Sequence, residues 1–182
     1  MPNWCDNHVT ISGLPDRVAA FVQRVQGTPE AWGDKPLPPQ VFCFNTLVPI
    51  PAAVVAQGFG RAGFDWRNAH WGTKWEAGCA TNTPPPIKTL CSGFATVYYL
   101  FDTAWSPSLA WLDTVAAQWL DLRFRLIFGE PAISDFGKIV WNRGARSRET
   151  TIDARTNRNW MAKHFVWVLA EDEDEEDSTD NG

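Results

Sequence analysis

A chain of 182 residues can bury a sizeable core as one domain, and 45% hydrophobic with 13% aromatic content excludes the disordered and fibrous classes. The formal charge of -5 conceals two parts. Residues 171–182 hold eight of the 21 acids and no base, which leaves a mildly basic body of 16 bases against 13 acids. No run approaches the roughly 18 apolar residues of a membrane span, and Met1-Pro2-Asn3-Trp4-Cys5-Asp6 lacks a signal-peptide pattern. A cytoplasmic chain with no membrane contact and four reduced thiols is therefore expected.

His8-Val9-Thr10-Ile11-Ser12 alternates and stops at Gly13, which predicts a first strand. Pro15 suits a first helical turn, and Leu14, Val18, Phe21, Val22 and Val25 follow at helical spacing. Val41-Phe42-Cys43-Phe44 reads as a short second strand. Residues 52–93 form a long insertion containing Gly58-Phe59-Gly60-Arg61-Ala62-Gly63, which matches GxGxxG without the preceding strand a dinucleotide site requires. Phe94 to Phe101 is the strongest strand. Ser106-Pro107 opens a helix carrying Leu109, Leu112, Ala116 and Trp119 on one face. Leu122 to Phe128 alternates strictly, with Arg123 and Arg125 outward, and Phe136 to Trp141 gives a last strand closed by Gly144.

Without the insertion and the last strand, two split βαβ units remain. This predicts an α+β, ferredoxin-like antiparallel sheet with helices on one face. The domain is expected to span residues 1–144. A basic, then apolar extension (145–170) and a disordered acidic tail (171–182) follow it.

Eleven tryptophans are far more than a core of this size needs. Trp66-Arg67-Asn68-Ala69-His70-Trp71-Gly72-Thr73-Lys74-Trp75 holds three of them among polar residues, and Phe101-Asp102-Thr103-Ala104-Trp105 repeats that chemistry. Two readings stand: the indoles plug the open end of the sheet, or they wall a pocket that stacks a base, nucleotide or aromatic side chain. The second reading assigns Trp4, Asn7, Trp71, Lys74, Trp75, Asp102 and Trp105 to the site. Arg123, Arg125, Arg146 and Arg148 are candidate phosphate contacts. The acidic tail reads as a solubility tail, a cover for the basic segment, or a nucleic-acid mimic.

Three pieces, Met1 to Asn7, Trp71-Gly72-Thr73-Lys74-Trp75-Glu76-Ala77 and Thr103-Ala104-Trp105-Ser106-Pro107, resemble a family of phage- and plasmid-borne proteins known as the YubB-like ferredoxin-like domain, of unknown function. The resemblance covers roughly residues 2–144 and departs from the family pattern at His70, Glu76 and Ser108. It implies the fold, a mobile-element origin, a host protein as partner and, by analogy with its genomic company, a counter-defence or host-takeover role. It supplies no catalytic residues.

No enzyme is expected. His8-Val9-Thr10 resembles one half of the paired motif of two-histidine phosphoesterases, but neither His70 nor His164 is followed by the hydroxyl residue the second half requires. Cys5 and His8 make a single Cys-x-x-His pair, too few ligands for a zinc site, so neither metal nor cofactor is expected. The expected function is a non-enzymatic binding protein; the alternative is a nucleic-acid or nucleotide-binding module. Nothing in the sequence sets an oligomeric state.

Overall fold

The computed structural model describes residues 3–31, 37–79, 83–131 and 135–165. The apolar run after Phe165 and the acidic tail lie outside the described residues.

One antiparallel sheet organises these residues. Its strands are β1 (Trp4–Gly13), β2 (Gly78–Cys79), β3 (Lys88–Thr89), β4 (Ala95–Ala104), β5 (Arg123–Glu130), β6 (Asp135–Asn142) and β7 (Ala145–Ile152). The order across the sheet is β2-β4-β1-β5-β6-β7, with β3 also pairing β4. β4 and β5 flank β1, and α5 (Leu109–Gln118) connects them, which is one complete split βαβ unit.

Alternation sets the two faces. Cys5, Val9 and Ile11 of β1, with Val97, Tyr99 and Phe101 of β4, are buried under α1 (Pro15–Arg24) and α5. Phe124, Leu126 and Phe128 of β5 and Trp141 of β6 extend the same core. α1 supplies Val18, Phe21 and Val22, and α5 supplies Trp111, Leu112, Val115 and Ala116. In the last hairpin Arg143 (φ 52°) and Gly144 (φ 83°) both take left-handed backbone, the two-residue turn that matches strand twist.

The expected strand at Val41–Phe44 does not form. Phe44–Leu47 is instead a helical turn, α2. Phe42 and Phe44 are both fully buried, stacked among Phe101, Trp111 and Trp71, and their alternation imitates a strand. The carboxylate of Glu76 accepts the Phe44 and Asn45 N–H groups, capping this turn from 32 residues away. The two-residue strands β2 and β3 occupy the sheet edge instead.

The insertion is regular over much of its first half. It carries α3 (Ala52–Val55), a π-helical turn (Phe59–Gly63) and α4 (Phe64–Trp71). The basic run after residue 144 adds a full edge strand, β7, paired along β6. α6 (Arg158–His164) then lies on the face opposite α1 and α5, where Met161 and Phe165 cover Ile127 and Phe136. Gly129, opposite Phe136, admits this packing, and on the α1/α5 side Gly137 makes the matching room for Phe128. A methyl group on either would sit within 2.5–2.9 Å of the facing ring. No helix of the described residues is long and apolar enough to cross a membrane.

Candidate functional site

Two local devices carry the Trp-Gly-Thr-Lys-Trp segment to the end of the sheet. Gly72 ends α4 at φ 81°, a conformation that favours glycine, and a Cβ there would lie 3.2 Å from the Leu109 nitrogen and the Pro107 oxygen. Thr73 is fully buried; its hydroxyl donates to the Ala104 carbonyl (3.0 Å) and accepts from the Ala104 N–H (3.2 Å). Ser106 Oγ donates to the Gly72 carbonyl at 2.6 Å. The insertion is thereby pinned to the corner between β4 and α5.

The pinning assembles an aromatic cluster. Lys74 Nζ lies 4.3 Å from the Trp75 ring centroid and 5.5 Å from that of Trp105. Trp4, at the start of β1, packs 5.8 Å from Trp75. Trp4 is 45% and Trp105 47% exposed. Trp105 also holds a positive φ of 75°, a costly conformation for a bulky residue, while its N–H bonds the Asn3 carbonyl. Asp102 is exposed on the face of β4 turned away from α1 and α5 and stands directly opposite Asp6.

Two of the seven expected pocket residues lie elsewhere. Trp71 is fully buried, donating Nε1–H to the Val48 carbonyl at 3.0 Å beside Phe44. Because Gly72 ends the helix, the four-residue spacing of Trp71 and Trp75 does not align them. Asn7 is buried on the helix side, its amide donating to the Cys5 carbonyl (2.8 Å) and Thr103 Oγ1 (2.7 Å). The cluster is therefore Trp4, Lys74, Trp75 and Trp105, with Asp102 alongside.

Sequence reasoning missed a cavity of about 430 Å³ behind Trp75, lined by Gln40, Phe59, Arg67 and Glu76 among others. Arg67 is only 4% exposed, stands 5.2 Å from the Phe59 ring centroid and 5.0 Å from that of Trp71, and donates to the Lys74 carbonyl. Burial lowers its pKa to about 10. Burial raises the Glu76 carboxyl, and its backbone donors pull it back. The one sequence signal was the four-residue spacing of Arg67 and Trp71 on α4, which places the guanidinium over the indole.

The candidate arginines divide between two faces. Arg125 stands opposite Thr10 and donates to its hydroxyl at 3.0 Å; Arg123 stands opposite Ser12, and Arg148 opposite Val140. All three are on the face away from α1 and α5. Arg146 is on the helix side, bonded to Asp113 at 2.7 Å in a pair that also holds the Trp141 indole N–H. A bulge between Val140 and Trp141 produces the split.

His8 is on the same face as Arg123, Arg125 and Arg148, at the edge of the part covered by α6. Its Nδ1 is 2.8 Å from the Tyr98 hydroxyl and its ring 5.1 Å from that of Phe165. Burial, then the nearby His164, pushes its pKa down to about 4. Cys5 and His8, three apart on one strand, face opposite sides of the sheet and do not share a metal site.

The fold thus defines an α+β ferredoxin-like domain with one complete split βαβ unit, an additional β6–β7 hairpin and an exposed indole cluster. Residues 86–180 match the family described as the ferredoxin-like domain in Api92-like protein, and the chain belongs to that family. The match takes in residues beyond 144, outside the stretch covered by the sequence resemblance. The crystal structure of the api92 protein from Yersinia pseudotuberculosis has the same fold. Its TM-score is 0.61 at 10% identity, over 84% of this chain and 98% of that one. No curated protein matches the chain.

Proposed function

We propose that this chain is a non-enzymatic binding protein that engages a host-cell protein through the Trp4–Trp75–Trp105 cluster. The observation that carries this reading is the meeting of three indoles from three separate segments, Trp75 and Trp105 against Lys74 and Trp4 against Trp75, with Trp4 and Trp105 about half exposed. Tryptophans of this kind supply a large share of binding energy at protein interfaces, because each buries a large area while its indole N–H remains available for a hydrogen bond. The positive φ of Trp105 is held at a corner tied by the Asn3, Thr73 and Ser106 hydrogen bonds, where the ring stays about half exposed, which supports a role in binding. The resemblance to phage- and plasmid-borne proteins supports a host factor in the cytoplasm as the partner and counter-defence as the outcome.

Affinity capture from bacterial lysate tests the reading. The intact chain should retain a stoichiometric protein partner, and Trp75→Ala or a Trp4→Ala/Trp105→Ala double variant should weaken retention by at least about tenfold. Retention unchanged by these substitutions, or abolished by nuclease, would refute it.

A further inference from the structure

The sheet face turned away from α1 and α5 is covered by α6 at Ile127 and Phe136, and Phe165 packs on His8; the rest of it is a second surface, separate from the indole cluster. Strand register places its side chains in rows. Tyr98, Thr10, Arg125, Val140 and Arg148 form one row across five strands, and Leu100, His8, Ile127, Lys138 and Thr150 form the next. Arg123 stands one row beyond Arg125, beside Ser12. Tyr98 is 44% and Leu100 50% exposed. None of Arg123, Arg125, Lys138 and Arg148 forms an ion pair among the described residues. The acids on the neighbouring row, Asp6 and Asp102, are at the other end of the face, beside Trp4. One half of the face is thus cationic, and β1, with Thr10 and His8, separates it from an aromatic and aliphatic strip on β4.

We propose that this half of the face, beside the part that α6 covers, binds single-stranded nucleic acid, with bases on Tyr98 and Leu100 and phosphates on Arg123, Arg125, Lys138 and Arg148. Charge complementarity and geometry select this ligand. Strands are about 4.8 Å apart and successive rows about 7 Å, so the cations form a band about 15 Å wide that starts about 10 Å, two strand spacings, from the stacking strip. Side chains rising from a sheet present flat rings that an unpaired base can cover. A duplex keeps its bases stacked on each other and offers only its backbone. Arg125 is braced by Thr10 Oγ1, and Tyr98 by His8 Nδ1, so both are oriented before a ligand arrives.

The test is fluorescence anisotropy with a labelled mixed-sequence 12-nucleotide RNA, the same sequence as DNA, and the matching duplexes. Two full-length proteins are compared: the natural chain, and a form whose eight tail acids are replaced by Asn and Gln so that the tail cannot compete for the cations. Single strands should bind in preference to duplex. The slope of log K against log salt should be about -3, as expected for four neutralised phosphates on a single strand. The double variant Arg125→Gln/Arg148→Gln should halve that slope, whereas Arg24→Gln on α1 should not change it. Tyr98→Ala should weaken binding by roughly tenfold, and Tyr98→Phe, which keeps the ring, should restore it. Circular dichroism of each variant separates lost binding from lost folding. Equal binding of duplex, indifference to Tyr98→Ala in a folded variant, or no binding by either full-length protein at 50 mM salt would each overturn the proposal.

Discussion

Between pH 7 and pH 5, His8 alone should withdraw about 1 kcal/mol from the fold. The native ring is pushed down to about 4, first by burial against Phe165 and the sheet and then by His164; an unfolded histidine titrates near 6.5. The native pKa is the lower one, so the unfolded chain takes up the proton first. The stability due to neutral His8 is complete above about 6.5 and is lost as the pH falls towards 4. Full shelter would make the loss at pH 5 about 2 kcal/mol. The ring is partly open to solvent, and screening reduces this to about half. Urea unfolding at pH 7 and pH 5, for the natural chain and for His8→Gln, measures the difference. Glutamine can still accept the Tyr98 hydroxyl and does not titrate, so other groups cancel in the comparison. At a slope of about 2 kcal/mol per molar urea, the natural chain should lose about 0.5 M more of its midpoint than the variant. Identical pH dependence in both proteins, or an imidazole titrating near 6.5 by NMR, would refute the argument.

Burial raises the pKa of Cys5, Cys43 and Cys79, and Cys91 is exposed, so a thiol reagent at pH 8 should label Cys91 within minutes and the others only on unfolding. Mass spectrometry of the labelled chain checks this. Gly137→Ala should destabilise by about 1–3 kcal/mol, because the new methyl meets the Phe128 ring at 2.5 Å and the Thr150 carbonyl at 3.3 Å; an unchanged thermal midpoint would contradict it. At Trp105 the usual order of alanine and glycine should reverse, since the left-handed backbone penalises any Cβ. Trp105→Gly should be more stable than Trp105→Ala by about 1 kcal/mol in denaturant titrations.

Most of the sheet was legible because its strands alternate and its two long helices repeat with helical period. β1, α1, β4, α5, β5 and β6 all lie where local pattern places them, within a few residues. β7 was not legible. Ala145–Ile152 is exposed almost throughout, and backbone pairing to β6 forms it without any apolar alternation. Phe42 and Phe44 misled because the carboxylate that bends the chain there belongs to Glu76.

In the candidate site, Trp4, Lys74, Trp75 and Trp105 could be read from composition and spacing, since clustered indoles beside a lysine are unusual in any core. The sequence by itself determined which residues could form an aromatic surface and which segments carry the strand and helix periods. Only the tertiary structure decided that Trp71 turns inward, that Arg146 and Arg148 part across the sheet, and that His8 meets Tyr98. Each outcome depends on one non-periodic event: a left-handed glycine, a bulge, or a register between strands some 90 residues apart. A periodic pattern reports the face a residue prefers. The partner that face meets depends on how distant segments are brought together, and no local spacing records that.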